Sequence, residues 1–497
     1  MGRSEDRISC LPDSVLQSIL AMMPLKSAIR TDVLSQKWRN LWKYSLSTAT
    51  NLDFGEDFAH NLSAKEFVET VNRYLLMNDS KKLETFHLFF CPFDLFVSDI
   101  ERWIRFATGK GVRYLDIDLS QGFRNPVDGE FTDSRVPFEL PSSLFDCDSL
   151  IELSLSRCIL ISPLNLRNFG GLQSLSISHS NIDTEMLQSI LTECSLLEIL
   201  SLRSCQHLAV INITVPDLKL KRLTIGDCFI SDLLEIDAPK LQSFHYFGRL
   251  CSETNFTNIS SLEDASIYSI GRNSELDYTY LLTDLSHIQI LTLCTATLVH
   301  LHQNEESFDD DLIELQNLQE LQFLMTSMSD GYLTCFYTFF SICSSPFLEK
   351  LFIRLPIHVE DRNEEKYGVS VRLNPIGLDN FTFDHLKVIK VTNFKGSTNE
   401  MRMVSFLLQK AAVLETLVLV LPFVKVENGK ERLVLRILRG QVLLLQKAAP
   451  SAQIILHEFG EDDGFNPTHV EIYNDYSCLP SIPSMVAGEK ISQNCNF

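Results

Sequence analysis

Two spacings of hydrophobic residues divide the chain. In the first fifty residues, apolar positions recur every three or four residues, as at Leu16, Ile19 and Leu20, and this spacing predicts short helices. Farther along, the recurring pattern is Leu-x-x-Leu-x-Leu, whose alternating apolar positions predict short strands. The pattern therefore predicts a small helical head, residues 1–50, followed by a long array of strands.

The head contains three apolar stripes at helical spacing. Pro12 suits the first turn of a helix, where its missing N–H is not needed, and Pro24 ends that helix. The second stripe covers 28–34 and the third covers 38–42, which holds two of the chain's three tryptophans. Because so short a segment leaves apolar stripes unpaired, we expect the head to dock on another protein.

The strand pattern repeats along most of the chain. Clear copies begin at Leu150, Leu172, Leu197 and Leu220, and weaker ones at Leu83, Val112, Leu241, Leu262, Ile288, Leu318, Leu348, Leu386 and Leu414. The clear copies are 22, 25 and 23 residues apart, within the period of roughly 20–29 residues of leucine-rich repeats. Each repeat is expected to add one strand to a parallel sheet, so that stacking buries the leucines.

Cysteines support this register. Cys158, Cys205 and Cys228 each lie three residues after the last leucine-type position of their repeat, at the predicted turn that leaves the strand. One cysteine per repeat indicates a buried ladder. The 13 cysteines contain no Cys-x-x-Cys pair and no His/Cys metal spacing, so we expect free thiols, no metal and no cofactor.

Composition narrows the possible partners. The chain has 497 residues, of which 45% are hydrophobic and 22% charged, as in a foldable soluble protein. Its net charge of -21 argues against nucleic-acid binding, which needs a basic surface. Residues 1–48 carry seven basic and four acidic side chains, which is consistent with a head that meets an acidic partner. Without a membrane span or secretory signal, we expect an intracellular protein, cytoplasmic and/or nuclear.

The head resembles an F-box. The matching positions are Leu11-Pro12, Leu16, Ile19-Leu20, Pro24, Ala28, Val33-Leu34-Ser35, Trp38-Arg39 and Trp42. The resemblance implies helices that bind a Skp-type adaptor and, through it, a cullin-RING ubiquitin ligase. The adaptor-contact residues that it implies are Leu11, Pro12, Leu16, Ile19, Leu20, Pro24, Val33 and Trp38.

The C-terminal part resembles the FBD region of plant F-box/leucine-rich-repeat proteins. It reads as a strand from His385 to Val391, a loop, a helix and strand within 400–417, an apolar helix over 433–449 and a strand from 453. We therefore expect an α/β protein, a three-helix F-box followed by an irregular leucine-rich-repeat solenoid with parallel strands on its concave face. The expected domains are 1–50 (F-box), 51–370 (repeats), 371–460 (FBD-like) and 461–497 (loose polar tail).

Catalytic motifs are not found. The sequence has no Gly-rich phosphate loop and no Gly-x-Ser-x-Gly elbow, so we expect a non-catalytic subunit that holds an unidentified target protein for ubiquitination. Residues alternating with the leucines face outward, and the target-binding candidates among them are Arg203, His245, Phe247, Tyr268, Phe352 and Arg354. The alternatives are a non-ligase interaction scaffold and a small-molecule-sensing repeat receptor.

Overall fold

A computed structural model describes residues 8–469 except 9, 22, 24, 40, 60–61, 91–95, 120–137, 162–165, 216, 229–232, 249–252, 270–277, 304–311, 358–377, 379, 423–430 and 461–463. For 21, 25, 26, 29, 44, 279 and 431–434 it describes the backbone alone. The described residues divide into two compact units. Unit 1 lies within 1–262 and 269–276, and unit 2 lies within 263–268 and 277–497.

The head is helical, as predicted. Its helices are α1 (Asp13–Ala21), α2 (Leu25–Arg30) and α3 (Leu41–Thr48), and a 3-10 turn, Thr31–Val33, follows α2. The main-chain carbonyl of Pro12 accepts hydrogen bonds from the N–H groups of Val15 and Leu16, which starts α1. Trp38 lies in the turn before α3 rather than in a third helix, because its N–H is bonded to the carbonyl of Ser35.

Unit 1 continues as parallel strands joined by helices and loops. The strands are β1 (Asn51–Phe54), β2 (Thr85–Phe89), β3 (Tyr114–Asp118), β4 (Phe138–Glu139), β5 (Glu152–Ser156), β6 (Cys158–Ile159), β7 (Ser174–Ser178), β8 (Ile199–Arg203), β9 (Val210–Ile213), β10 (Arg222–Gly226), β11 (Leu233–Asp237), β12 (Ser243–Gly248) and β13 (Glu253–Thr257). The main sheet has the order β1-β2-β3-β5-β7-β8-β10-β12, and β4-β6 and β13-β11-β9 form small parallel sheets.

Helices cover one face of the unit 1 sheet. They are α4 (Glu56–Ala59), α5 (Ala64–Met77), α6 (Val97–Gly109) and α7 (Thr184–Glu193). Beneath the first three, aromatic rings pack edge to face, as Phe54 does with Phe86 and Phe90 with Trp103. This aromatic core anchors the first repeats.

Unit 2 repeats the same plan. Its strands are β14 (Asp264–Ser269), β15 (Ile290–Cys294), β16 (Ile313–Glu314), β17 (Glu320–Leu324), β18 (Cys343–Ser344), β19 (Lys350–Arg354), β20 (Val388–Thr392), β21 (Thr416–Val420) and β22 (Gln453–His457). Its helices are α8 (Tyr278–Asp284), α9 (Thr295–Gln303), α10 (Asp330–Ile342), α11 (Thr398–Lys410) and α12 (Glu431–Leu443). The main strand order is β14-β15-β17-β19-β20-β21-β22, and β16 pairs with β18.

The predicted repeat register is confirmed in both units. Every predicted copy from Leu83 to Leu414 gives a strand whose two later apolar positions are buried. Side chains between them point to the opposite side of the strands, which we call the open face. The mixed α/β class and the FBD-like order of strand, helix and strand are also confirmed. The structure adds β1, which the repeat pattern did not predict.

The turns that follow the strands explain why a cysteine recurs at the same position of several repeats. Arg157, Ser204 and Asp227 adopt a left-handed backbone directly after their strands. In each case the next residue is a buried, free cysteine. The thiols of Cys158, Cys205 and Cys228 each donate to the carbonyl two residues earlier, at 3.4–3.5 Å. The cysteines therefore close successive turns, as the ladder prediction requires.

Candidate functional site

The predicted adaptor-contact residues of the head fall into two groups. Leu16, Leu20 and Trp38 are buried together with Ala28 in the core of the head. Leu11 and Ile19 are partly buried and pack against that core, and Pro12 and Val33 are exposed. Pro24 lies outside the described residues. The buried group supports the helices, and the second group is the part of the set that solvent reaches.

Exposed apolar side chains cluster in sequence after α2. Val33 is 87% exposed and Leu34 is 63% exposed, although the spacing predicted that both would share a helix face with Ala28. The 3-10 turn Thr31–Val33 follows α2 directly, and the hydroxyl of Thr31 bonds back to the carbonyl of Ala28 at 2.6 Å. Because a 3-10 helix has 3.0 residues per turn, the side chains after it are rotated about the axis relative to those of a continuous α-helix. The turn therefore directs Val33 and Leu34 to solvent instead of the core.

A buried asparagine joins the head to the first repeat. The side-chain amide of Asn78, at the end of α5, donates to the carbonyls of Leu46 and Ala49 at 2.9 and 2.8 Å. The ammonium of Lys110 bonds the carbonyl oxygens of the Asn78 side chain and main chain, both at 2.8 Å. Burial lowers the pKa of that ammonium. Three segments, the end of α3, α5 and the end of α6, are thus held at one point.

The open face of unit 1 carries one polar side chain per strand along the middle of the sheet. In register these residues are Asp53, His87, Asp116, Ser154, Ser176, Ser201, Thr224 and His245. All eight are partly or fully exposed. This row gives the described part of unit 1 a continuous polar surface that another molecule can reach.

The first three members of the row form a charged group. The ring of His87 lies between two carboxylates, with Nδ1 2.9 Å from Asp53 Oδ1 and Nε2 3.4 Å from Asp116 Oδ2. The hydrogen bond to Asp53 raises the pKa of His87 and lowers that of Asp53, while burial raises the pKa of Asp116. The repeat pattern did not single out this group, because its members are about 30 residues apart in sequence.

Three predicted target-binding residues lie on two strands of unit 1, β8 and β12, which are separated by β10. Arg203 on β8, Gly226 on β10 and Phe247 on β12 are in register, and His245 precedes Phe247 on the same face. The Arg203 side chain lies over the glycine, with its Cγ 3.4 Å from the position that a Cβ would take. Arginine and aromatic residues are enriched in binding hot spots, so the structure assembles three of the six candidates into one accessible group.

The corresponding row of unit 2 is buried. Its members are Ser266, Thr292, Gln322, Phe352, Lys390 and Val418. Phe352 is 2% exposed and Arg354 on the same strand is 9% exposed. Both point to the predicted side, but the expectation that they face solvent is wrong. Tyr268, the remaining candidate, is partly buried on β14.

Part of the open face of unit 2 is covered by a segment that was expected to be a loose tail. Within 461–497 the structure describes 464–469, and these six residues lie on the open face of unit 2, so they are not a free tail. Their partners lie 75 to 205 residues away in sequence. Polar composition and prolines did not reveal this contact. Residues 461–463 and 470–497 lie outside the described residues.

No helix in the described part of the chain is long and apolar enough to cross a bilayer.

Comparisons with known proteins match both parts of the chain. The family model for the F-box domain matches residues 8–49, and the model described as At1g61320/AtMIF1, LRR domain matches residues 76–434. The F-box/FBD/LRR-repeat protein At1g13570 of Arabidopsis thaliana is 27% identical over 471 residues, which cover 92% of this chain and 99% of the relative. F-box/FBD/LRR-repeat protein At1g78750 and F-box/LRR-repeat protein At3g26922, from the same plant, are 25% and 30% identical over 451 and 305 residues. These alignments cover 84% and 60% of this chain, and 91% and 92% of the relatives.

Proposed function

The chain belongs to the plant F-box/leucine-rich-repeat proteins with an FBD-like region, and on that basis we propose that it is the substrate-recognition subunit of an SCF-type cullin-RING ubiquitin ligase. The head binds a Skp-type adaptor, and the repeats hold a target protein. The chain itself makes no bond. It acts by raising the local concentration of target lysines near the enzyme that carries ubiquitin.

The exposure of Val33 and Leu34 inside the F-box match is the observation that carries the adaptor assignment. Isolated exposed apolar residues are ordinary, but these two are adjacent and lie beside the core of a short helical head. An apolar groove on a partner would remove both side chains from water. Leu16, Leu20 and Trp38 pack with Ala28 in the core of the head, and Thr31 of the turn bonds back to the carbonyl of Ala28.

The joint at Asn78 supports a receptor role as well. A ligase subunit positions its target only if the adaptor-binding part and the target-binding part keep a fixed relation. In unit 1 the hydrogen bonds of Asn78 tie α3 of the head to α5 and α6 of the first repeat. The accessible group of Arg203, His245 and Phe247 lies on the same unit, and we propose it as the target contact.

The adaptor assignment is tested with charge substitutions on the exposed turn. The double variant Val33→Asp, Leu34→Asp should lose co-purification with a Skp-type adaptor, and the weakening should exceed about tenfold because buried anchors dominate such interfaces. Leu76→Asp is the matched control, since Leu76 is 85% exposed but lies on α5, outside the F-box match. Retained adaptor binding by the double variant, with the fold intact by circular dichroism, would reject the assignment. Leu11 is a poorer probe because it packs against the core of the head.

The target contact is tested separately. Phe247→Ala should remove target proteins from the set captured by proximity labelling under proteasome inhibition, while adaptor binding stays at the wild-type level. Ser176→Ala, on the same open face but smaller, is the control. An unchanged set of captured proteins for Phe247→Ala would place the target contact elsewhere.

A further inference from the structure

The segment 464–469 is bound to the open face of unit 2 as a peptide ligand would be. Its burial alternates at its end, where Pro467 and His469 are buried and Thr468 between them is exposed. This period of two is that of an extended chain with one side against a surface. Pro467 and His469 therefore face the strands of their own unit, whereas residues 464–466 are exposed.

One end of the segment supplies hydrogen-bond acceptors to a buried cation. Lys390 on β20 is buried, and its ammonium donates to the main-chain carbonyl of Phe465 at 2.7 Å and to Asn466 Oδ1 at 3.2 Å. A buried ammonium without acceptors is strongly unfavourable. The acceptors come from the segment, and one of them is a main-chain group that any peptide offers.

The middle of the segment is held by a buried carboxylate. The main-chain N–H of Thr468 donates to Glu320 Oε1 on β17 at 2.6 Å, and the other oxygen of Glu320 lies 3.6 Å from the ammonium of Lys350. Charge-assisted bonds of this kind are among the stronger hydrogen bonds in proteins. This contact also depends on the main chain of the occupant and not on its side chain.

The histidine at the other end of the segment occupies a pocket that would select among peptides. The buried ring of His469 is hydrogen-bonded through Nδ1 to Thr292 Oγ1 at 2.7 Å and through Nε2 to Asp264 Oδ1 at 3.0 Å. Thr292 in turn donates to Gln322 Oε1 at 3.0 Å. A pocket with a carboxylate and a hydroxyl on opposite sides selects a flat side chain with two polar ring atoms, as histidine has.

Within the described residues, the occupant leaves two buried groups of this row without a hydrogen-bond partner, the Oγ of Ser266 and the Nε2 of Gln322. Gln322 is 1% exposed. An unpaired buried donor costs free energy. A peptide that supplied an acceptor there would therefore gain a hydrogen bond that the segment does not make.

The segment runs across the strands of unit 2, and a peptide that replaced it would have to follow the same path. From β14 to β20 there are four strand spacings, or about 19 Å at ~4.8 Å each. The main chain from residue 465 to 469 spans about 13 Å when extended, and the side chains of Lys390 and His469 cover the remainder. The segment thus crosses the strands instead of pairing with an edge, and recognition uses side chains of several repeats.

We propose that residues 464–469 are an internal ligand on a peptide-binding face of unit 2, and that an extended peptide of similar chemistry replaces them. That peptide offers a carbonyl to Lys390, an N–H to Glu320 and a histidine-like side chain to Asp264 and Thr292. The identification of this peptide with part of a target protein rests on the proposed function. Because a short tether gives the segment an effective concentration on the order of millimolar, only a well-matched or locally concentrated peptide displaces it.

The test uses a matched pair of variants at one residue of the full chain. Thr468→Pro removes the N–H that bonds Glu320, whereas Thr468→Ala keeps that N–H and alters only an exposed side chain. The probe is a fluorescent synthetic peptide with the sequence of residues 463–470. The Thr468→Pro chain should bind the probe at least about tenfold more tightly than the wild-type and Thr468→Ala chains, because its internal competitor is weakened.

Probe binding that is equal in the three chains, or absent from all of them, overturns the proposal. If Thr468→Pro does not fold, a protease site inserted within 461–463 allows the segment to be cut after the chain has folded. The cut fragment should then be released slowly and be displaced by the unlabelled peptide, and a His469→Ala fragment should leave at least about tenfold faster. Fragments that leave at the same rate would also overturn the proposal. Adaptor co-purification from the same samples reports on the proposed function independently.

Discussion

The Asn78 side chain is one of the groups that join the head to the repeats, beside the main-chain bond from the N–H of Asp79 to the carbonyl of Ser47 at 2.8 Å, and its removal has a calculable effect. Asn78→Ala deletes two amide hydrogen bonds to main-chain carbonyls, at 2.9 and 2.8 Å, one bond from the Lys110 ammonium, and a local bond from the Ser80 hydroxyl at 2.6 Å. With about 1 kcal/mol for each of the bonds that join different segments, and Lys110 still bonded to the main-chain carbonyl of residue 78, the loss at the joint is about 3 kcal/mol. We expect this loss to appear first as opening of α3 away from α5.

Hydrogen exchange measures that opening. A loss of about 3 kcal/mol corresponds to roughly 100-fold faster exchange of the amides in the last turn of α3. Asn72→Ala is the matched control, because Asn72 lies on the same helix but bonds Trp103 and Asp99 at 2.8 and 3.0 Å within the repeat. It should lower global stability without a selective effect on α3. Equal exchange of α3 in the two variants would refute the role of Asn78 at the joint.

Three further predictions concern charge, thiols and a helix end. The carboxylates around His87 raise its pKa. Its contribution to the free energy of unfolding is therefore complete below pH ~6.5 and is lost as pH rises through the raised pKa. Urea unfolding of His87→Gln should show less loss of stability between pH 6 and 9 than the wild type, and parallel curves of stability against pH would contradict this. Burial raises the pKa of Cys194 to about 12. Iodoacetamide should therefore label exposed Cys10 in the native chain and Cys194 only after unfolding, as mapped by mass spectrometry. Rapid labelling of Cys194 in the native chain would contradict its burial. Ser397→Ala removes the capping box of α11 and should reduce the free energy of unfolding in urea by about 1 kcal/mol. Thr398→Ala, at the exposed next residue, should have a small effect. Equal effects of the two substitutions would show that the cap is not responsible.

The strands of the main sheet were predictable because the buried positions of each strand lie close together in the sequence. Two apolar positions separated by one residue, such as Leu200 and Leu202, must both point to the core of a repeat, and the pattern states this directly. The same logic located the main-sheet strands from β2 to β21, but not the short strands of the small sheets. It missed β1, where Leu52 and Phe54 are buried without a preceding leucine, because only part of the pattern is present.

Exposure was not predictable in the same way. The apolar spacing groups Val33 and Leu34 with Ala28, but a single 3-10 turn separates them, and its effect depends on backbone geometry. On the strands, alternation tells which side a residue faces but not what covers that side. His245 and Phe352 are both the third residue of their strands, yet only Phe352 is fully buried.

The row of small polar side chains on unit 1 bears on how such proteins diverge. Ser154, Ser176, Ser201 and Thr224 each occupy one strand and point away from the leucine core. Exposed substitutions at such positions change stability by roughly 0.5 kcal/mol or less. Repeats whose row residue makes no bond to the next strand can therefore accept a new side chain independently of their neighbours, which excludes Ser154 because it is hydrogen-bonded to Asp116. Under the proposed function, such positions allow target recognition to change one strand at a time, without rebuilding of the fold.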